Sequence, residues 1–280
     1  MTELSCILFP LDGSERAEVA LVWAHALPAQ RIRLLYVCPE ENQDSQAAAR
    51  YLEEVVVRSQ LAERAVETRI AYGGPAEAIV GDAVDVDLIV MSTQGAGGGG
   101  RLLFGSVADR VARHAPAPTL LLRGGTHPVT ADPVRRIVIP LDGSPAAERA
   151  LPLPTLLARM LGVPLHLVTA TEQGASDVEP DSEQTTRGLS TETIAARTEL
   201  ASDYLRAASA SLRTLDIATS TEVRAGPAAT EVMATLGPGD LLVITTHGQG
   251  AARRWQIGNV AEKLLRQAGA PVALVRADTP

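Results

Sequence analysis

The chain has almost no lysine. Lys263 is the only one in 280 residues, and arginine supplies the other long basic side chains. A Walker-type phosphate loop requires a lysine, and so does an enzyme that forms a Schiff base with its substrate. The sequence also contains no G-x-x-x-x-G-K-[ST] pattern. The scarcity of lysine therefore argues against both classes of protein.

Aromatic residues are also scarce, at 3% of the chain, and the formal net charge is −8. This acidic field repels nucleic acid, and the chain has few side chains on which single-stranded bases could stack. No apolar run approaches the length of about 18 residues that a membrane-spanning helix needs, and no basic leader precedes the first apolar run. We therefore expect neither nucleic acid nor a membrane as a partner. Two cysteines in apolar runs are typical of a reducing cytoplasm.

The sequence contains an internal repeat. Three stretches recur in order: ILFPLDGS (7–14) as IVIPLDGS (137–144), AYGGPAEAIV (71–80) as VRAGPAATEV (223–232), and STQGAGGGGRLLFGSV (92–107) as TTHGQGAARRWQIGNV (245–260). Such self-similarity predicts two copies of one domain. The offsets are 130, 152 and 153, and the change from 130 to 152 predicts 22 extra residues in the second copy.

Glycine and proline interrupt the repeat between its copies. We predict a first domain over 1–127, a linker over 128–134 and a second domain over 135–280. The extra residues of the second copy fall within 171–191, a polar stretch rich in acidic residues, glycine and proline. This composition predicts a loose loop. Because the stretch follows the second strand of its domain, we expect it to hang over that domain's cleft as a lid.

Short apolar runs alternate with helical patterns in each copy. In the first copy the runs 5–12, 32–38, 67–72, 87–92 and 118–123 predict strands, and the patterns 14–27, 46–65, 74–84 and 107–115 predict helices. Strands that are almost continuously apolar indicate burial on both faces. The sequence therefore predicts an α/β fold, with a doubly wound parallel sheet and helices on both faces in each domain.

The glycine-rich stretch after the fourth strand allows three interpretations. Gly95, Gly97 and Gly100 match the G-x-G-x-x-G dinucleotide fingerprint, but that fingerprint follows a first strand, and the second copy has Arg253 in place of its last glycine. A flexible linker needs glycine at no particular position. The second copy nevertheless keeps the first two glycines and Gly105 at fixed spacing. A phosphate-binding loop that opens the next helix accounts for that spacing.

These motifs resemble those of the universal stress protein family. The motifs occur in the same order as in the family: P-x-D-G-S at the end of a strand, then G-P-A-E-A-I-V, then the loop G-x2-G-x9-G-[ST]-V. The duplication is similar to that of the family's tandem members. The resemblance covers nearly the whole chain. It implies a five-stranded parallel sheet of order 3-2-1-4-5 in each domain. It also implies that the halves form a pseudo-dimer through their last strands, and a homodimer of the whole chain is compatible with it.

The glycine pattern resembles that of the ATP-binding branch of the family, so the resemblance implies ATP or a related adenine nucleotide with Mg²⁺. It places the first site at Pro10, Leu11, Asp12, Val37, Ser92, Gly95, Gly97, Gly105, Ser106 and Val107. The matching residues of the second site are Pro140, Leu141, Asp142, Val168, Thr245, Gly248, Gly250, Gly258, Asn259 and Val260. Both copies depart from the pattern at its first glycine, which is Ser92 or Thr245 here. A β-branched threonine clashes wherever a positive φ is required.

The sequence indicates a binding site rather than an efficient enzyme. An aspartate suits a sugar hydroxyl and a helix start suits phosphate, but no general base, nucleophile or lysine accompanies them. No spacing of histidine, cysteine and carboxylate indicates a metal site. We therefore expect a cytoplasmic sensor or scaffold of the stress response that depends on nucleotide and has no catalytic residues. Two alternatives stay open, a nucleotide-free interaction module of the same fold and a slow ATPase.

Overall fold

A computed structural model of the chain describes residues 3–39, 45–93, 105–122, 134–171, 191–246 and 257–276. The first half contains the strands β1 (Leu4–Leu11), β2 (Ala29–Cys38), β3 (Val66–Tyr72), β4 (Leu88–Ser92) and β5 (Thr119–Leu122). Its helices are α1 (Glu15–Glu18), α2 (Val22–Ala26), α3 (Ser45–Arg58), α4 (Pro75–Asp82) and α5 (Ser106–His114). The second half contains the strands β6 (Arg136–Pro140), β7 (Leu165–Thr171), β8 (Thr219–Ala225), β9 (Asp240–Thr245) and β10 (Val272–Val275). Its helices are α6 (Pro145–Arg149), α7 (Pro152–Leu161), α8 (Thr191–Arg213), α9 (Ala228–Thr235) and α10 (Asn259–Gln267).

The strands form one sheet in the order β3-β2-β1-β4-β5-β10-β9-β6-β7-β8. Within each half the neighbouring strands are parallel. The halves meet at β5 and β10, which pair antiparallel with Val272 opposite Leu121 and Leu274 opposite Thr119. The predicted α/β fold, with a mostly parallel sheet in two related halves, is confirmed.

Helices cover both faces of the sheet, because alternate residues of each strand point to opposite sides. On β1, Ile7 and Phe9 pack into the core that includes α1, α2 and α3, whereas Cys6 and Leu8 pack into the core beneath α4 and α5. Trp23 is buried in the first of these cores. The carboxyl ends of the parallel strands in one half consequently share one edge, where the loops after β1 and β4 begin.

Two predicted helices are shorter than expected. The helix predicted over 14–27 is divided by a 3₁₀ turn at Val19–Leu21, and the helix predicted over 46–65 ends at Arg58. Gln60 has a φ of +55°, which leaves the right-handed helical region. The N–H of Leu61 then bonds to the carbonyl of Val56, as at other helix ends that turn through a left-handed residue. No helix in the described ranges is both long and apolar enough to cross a membrane.

At the third strand, the residues that correspond in the structures of the two halves are not the ones that the matching sequence letters pair. The N–H of Gly73 donates to the carbonyl of Cys38, and the N–H of Gly226 donates to that of Thr171. Gly73 therefore corresponds to Gly226 at an offset of 153, and the predicted offset of 152 in this stretch is wrong by one residue. Cys38 and Thr171 are 133 apart, so three extra residues precede this point and twenty follow it.

The segment predicted as an insert lies almost entirely outside the described residues. β7 ends at Thr171 and α8 begins at Thr191, and the structure describes nothing between them. The predicted linker is likewise outside, apart from its last residue, Val134, which is buried. The lid and the domain boundaries therefore stay predictions.

Candidate functional site

The turn after β1 holds Asp12 in place. Gly13 has a φ of +82°, a conformation that glycine adopts without steric cost. The chain consequently turns back, and Oδ1 of Asp12 accepts hydrogen bonds from the N–H of Ser14 at 3.1 Å and from its hydroxyl at 2.6 Å. The same hydroxyl accepts from the N–H of Ala17 at 3.2 Å and so caps α1. The carboxylate is fixed, yet exposed at the edge of the sheet.

The second half builds the same turn after β6. Gly143 has a φ of +76°, and Oδ1 of Asp142 accepts from the N–H of Ser144 at 2.9 Å. The Ser144 hydroxyl accepts from the N–H of Ala147 at 3.1 Å and caps α6. Much of the repeated P-L-D-G-S motif is thus explained by a turn and a helix cap. The aspartate carboxylate is the group that this turn presents at the surface.

Gly105 lies where β4 and α5 come together. Its N–H donates to the carbonyl of Thr93 at 2.8 Å, and a Cβ at this position would lie 2.8 Å from the same oxygen. A side chain is therefore excluded by a close approach of two backbone segments, while the φ of −71° is ordinary. The N–H of Gly105 is already bonded within the protein. The backbone donors of the helix start accordingly begin with Ser106 and Val107.

Among the described residues, no side chain caps the start of α5 or of α10. Gly258 donates its N–H to the carbonyl of Thr246 at 2.8 Å, as Gly105 does to that of Thr93. A Cβ on Gly258 would lie 3.7 Å from that oxygen, so this position tolerates a methyl group. The first N–H groups of an uncapped helix lack intrahelical partners and carry the positive end of its dipole. Each half therefore presents donors for an anion.

Ser92 and Thr245 are the last residues of β4 and β9. Ser92 pairs with Leu122, and Thr245 pairs with Val275, both in regular parallel ladders. Neither has a positive φ, because the non-glycine residues with positive φ in the described part are Gln60 and Asp216. The steric objection to a threonine at this position is therefore removed. The hydroxyl of the next residue in the first half, Thr93, is buried without a hydrogen-bond partner among the described residues.

The predicted site residues on β2 and β7 are Val37 and Val168, but these two do not correspond. The residue paired with the motif proline is Leu35 in the first half and Val168 in the second. Both are fully buried. Val37 instead corresponds to Ala170, two positions further along, and both are partly exposed. The predicted match of Val168 with Val37 is therefore wrong, because the first helix and its loop are three residues longer in the second half.

The remaining predicted residues that the structure describes differ in their exposure. Pro10, Leu11 and Leu141 are buried, whereas Pro140 and Val107 are half-buried and Asp142, Ser106, Asn259 and Val260 are exposed. Gly95, Gly97, Gly248 and Gly250 lie outside the described residues. In the first half the order β2-β1-β4 brings together the strand ends that carry Val37, Asp12 and Ser92.

A tyrosine near each aspartate was not predicted. Tyr51 on α3 donates its hydroxyl to Oε1 of Glu18 at 3.0 Å, and burial and the Glu18 and Asp12 carboxylates raise the pKa of this phenol. Tyr204 on α8 lies at an offset of 153, and burial and the Glu148 and Asp142 carboxylates raise its pKa in the same direction. Both phenols therefore stay protonated near neutral pH. The signal in the sequence was the shared offset of the two tyrosines.

The part of the chain that the structure describes contains no cluster of three or more histidine, cysteine or carboxylate side chains that could hold a metal ion. A strand-end aspartate and an uncapped helix start on adjacent strands suit a ligand that carries both hydroxyl and anionic groups.

Comparison with known proteins agrees with this architecture. The model of the Universal stress protein family matches residues 5–123 and 133–276. A universal stress protein of Thermus aquaticus is 36% identical over 135 residues, which cover 42% of this chain and 97% of that protein. One of Mycolicibacterium smegmatis is 24% identical over 303 aligned positions, which cover 96% of each chain. The crystal structure of a universal stress protein from Archaeoglobus fulgidus shares the fold, with a TM-score of 0.73 at 19% identity over 97% of this chain and 98% of that one. The chain therefore belongs to the universal stress protein family, with one match to the family in each half.

Proposed function

We propose that the chain binds an adenine nucleotide, ATP or a close relative, at the carboxyl edge of the sheet in each half. In this proposal it acts as a nucleotide-dependent sensor or scaffold of the stress response. One observation carries the proposal: each half brings a fixed aspartate turn and an uncapped helix start to the ends of two neighbouring strands. A universal stress protein has been crystallised in complex with cAMP. The proposal for this chain rests on its own residues.

The described groups fit a nucleotide in three respects. The exposed carboxylates of Asp12 and Asp142 are suited to accept hydrogen bonds from ribose hydroxyls. The first N–H groups of α5 and α10 suit phosphate, because no side chain in the described ranges caps them and they lie at the positive end of a helix dipole. The buried hydroxyl of Thr93, which has no partner in the described ranges, is a further donor beside the start of α5.

The proposed adenine contacts are apolar. In the first half they are Pro10, Leu11 and Val37, and in the second half they are Pro140, Leu141 and Ala170 in place of Val168. The glycines predicted in the loops after β4 and β9 would let the backbone approach the phosphates. When bound, the nucleotide and its Mg²⁺ supply the charges that these groups recognise.

We infer binding rather than rapid turnover. Oδ1 of Asp12 already accepts two hydrogen bonds from Ser14 and is therefore engaged in the turn. The nearby phenol of Tyr51 stays protonated because burial and the adjacent carboxylates raise its pKa. The first half thus offers a fixed hydrogen-bond acceptor beside a protonated phenol, an arrangement suited to holding a ligand. A protein that binds a nucleotide without rapid turnover is suited to report whether that nucleotide is present.

We further propose that the halves act as an intramolecular pseudo-dimer in the cytoplasm. β5 and β10 join the two sheets, and ion pairs link the two helices whose starts face the proposed phosphates. Arg113 on α5 lies 3.6 Å from Glu262 on α10, and Arg266 on α10 lies 3.7 Å from Asp109 on α5. Cys6 and Cys38 are buried and are not joined in a disulfide, which fits a reducing compartment.

Calorimetric titration of the full chain with Mg-ATP, after removal of any co-purified nucleotide, tests the proposal. We expect saturable heat with the native chain. The double variant Asp12→Ala, Asp142→Ala should bind about tenfold more weakly or worse, because a hydrogen bond to a charged group contributes about 1.5–3 kcal/mol. Asp203→Ala is the matched control, since Asp203 is an exposed carboxylate on α8 paired with Arg206.

Two results would contradict the proposal. One is the absence of heat with the native chain, which would favour the nucleotide-free interaction module. The other is equal affinity of the double variant and the Asp203→Ala control. Release of ADP at a rate that the double variant lacks would instead favour the slow ATPase.

A further inference from the structure

Three polar side chains of the second half form a connected chain of hydrogen bonds on β7 and β8. Nδ1 of His166 lies 2.9 Å from the hydroxyl oxygen of Ser220, and Nε2 lies 3.0 Å from Oε2 of Glu222. Because an ionised carboxylate only accepts, Nε2 carries a proton, and in the neutral tautomer Nδ1 accepts from the serine hydroxyl. Another acceptor within reach of this hydroxyl is the carbonyl oxygen of Leu165, at the longer distance of 3.4 Å. A hydroxyl, an imidazole and a carboxylate therefore lie in the order of a nucleophile, a base and a group that orients the base.

The strand register creates this order. His166 pairs with Ser220 across the parallel ladder, and Glu222 is the next residue of β8 on the same face. His166 is 6% exposed, so packing holds its ring, whereas Ser220 on the edge strand is exposed. His166 and Ser220 are the second residues of β7 and β8, and Glu222 lies at the middle of β8, so the set is away from the edge that carries the proposed nucleotide site.

The first half shows that the fold does not require these residue types. The corresponding positions there are Arg33, Glu67 and Arg69, again with Arg33 paired with Glu67. They form ion pairs, at 3.1 Å between Arg33 and Glu67 and at 2.6 Å between Arg69 and Glu67. The second half therefore replaces a permanently charged cluster with a set in which a proton can move from a hydroxyl to an imidazole.

The surrounding charges hold Glu222 ionised. Arg224 bonds to Oε1 of Glu222 at 3.0 Å and to Glu231 on α9 at 2.8 Å. The hydrogen bond from Arg224, with a further one from His166, lowers the pKa of the Glu222 carboxyl. On the β6 side the charged pair is Arg136 with Asp240, which bond to each other at 3.0 Å. Glu222 is thus the carboxylate that His166 contacts directly.

We propose that Ser220, His166 and Glu222 form an acyl-transfer site that takes activated esters with small acyl groups. Ser220 Oγ forms a bond to the ester carbonyl carbon while its proton passes to Nδ1 of His166. The bond to the leaving alcohol then breaks, and the alcohol takes that proton. Water then forms a bond to the acyl carbon while one of its protons passes to the same nitrogen. The bond between that carbon and Ser220 Oγ breaks, the serine oxygen takes the proton, and the carboxylic acid leaves. Since the three residues supply no oxyanion donor, the reaction is slow.

The probe for this site is p-nitrophenyl acetate, applied to the full chain near pH 7.5. We expect release of one nitrophenolate per chain in a first phase, and one acetyl group on the tryptic peptide 214–224, which contains Ser220. Ser220→Ala should lose both signals. Because a positioned general base contributes about 100-fold or more, His166→Gln should slow acylation by that factor.

The controls separate this site from unspecific chemistry. His25→Gln removes a histidine on α2 that bonds to a backbone carbonyl, and Ser211→Ala removes an exposed serine of α8. Both should keep the native rate. Circular dichroism shows whether His166→Gln still folds. If it does not, Glu222→Gln provides a second test, because it keeps the shape of the side chain and should still slow acylation. Equal rates for Ser220→Ala and Ser211→Ala, or acetyl groups distributed over many residues, would overturn the proposal.

Discussion

Adding one methyl group to the glycine at the start of α5 tests whether a backbone contact or a ligand requires this glycine. Gly105 and Gly258 occupy corresponding positions, and each donates its N–H to a carbonyl at 2.8 Å. A Cβ at Gly105 would lie 2.8 Å from the Thr93 oxygen, which is 0.6 Å inside the 3.4 Å at which ordinary contacts begin. At Gly258 the same atom would lie 3.7 Å from the Thr246 oxygen. Substitution by alanine should therefore affect the two halves unequally.

The magnitude follows from the local geometry. Overpacking of this kind costs about 1–3 kcal/mol, and moving α5 away would weaken a hydrogen bond that contributes about 1 kcal/mol. Alanine is a poorer N-cap than glycine, but it also restricts the unfolded chain, and these two effects oppose each other at both positions. We expect Gly105→Ala to lower the free energy of unfolding of the first half by about 2 kcal/mol. Gly258→Ala should change that of the second half by less than about 0.5 kcal/mol.

Urea unfolding measures the effect of Gly105→Ala in the first half. Trp23 is buried there, and Trp255 is the only other tryptophan, so Trp255→Phe makes Trp23 the single fluorescent reporter. A loss of about 2 kcal/mol lowers the urea midpoint by about 1 M at a typical slope. For Gly258→Ala, unfolding of the second half is measured by the fluorescence of Trp255 in a chain that carries Trp23→Phe, or by circular dichroism. Equal losses in the two variants would refute the assignment of Gly105 to backbone packing.

Two further predictions concern the charged cluster beneath α4. Arg33 is fully buried and bonds to Glu67, to the carbonyl of Asp82 and twice to Asp85, so Arg33→Met should cost about 3 kcal/mol in urea unfolding. Arg31→Ala, at a half-exposed neighbour, is the control and should cost less than about 1 kcal/mol; similar losses would contradict the expectation. Arg33 also lowers the pKa of Asp85 to about 2 from 3.8, so its stabilisation is present above about pH 4 and is lost as the pH falls through about 2. Asp85→Asn should flatten the pH dependence of the urea midpoint in that window, and an unchanged profile would contradict the assignment.

The fold was predictable because two signals in the sequence agree. Continuous apolar runs marked the strands, and the repeat predicted that both halves share one architecture. The ends of helices were less predictable. The pattern over 46–65 is amphipathic throughout, but the helix ends at Arg58 because Gln60 turns into the left-handed region. Glutamine gives no sign of this in a sequence, whereas glycine or asparagine would.

The alignment of the halves failed at the third strand for an identifiable reason. Gly74-Pro75 and Gly226-Pro227 share the same letters, but Pro75 is the first residue of α4 and Pro227 is the residue before α9. The hydrogen bonds of Gly73 and Gly226 to the ends of β2 and β7 show the true correspondence. A match of two turn residues is weak information, because glycine and proline suit several neighbouring positions of one turn.

Some of the repeated glycines are required by the fold itself, whereas for others a role in ligand binding is proposed. Gly13 and Gly143 are explained by their positive φ, and Gly105 by its distance to Thr93, without any ligand. Recurrence at fixed spacing therefore indicates a required backbone geometry, and it is not by itself a sign of phosphate. A nucleotide is supported instead by groups that the fold leaves exposed, which are the carboxylates of Asp12 and Asp142 and the N–H groups of α5 and α10 that no described side chain caps. The repeated aspartate fixes its turn through Oδ1 and also leaves an acidic group exposed at the end of the strand, and a ligand is the explanation that we propose for that exposed acid.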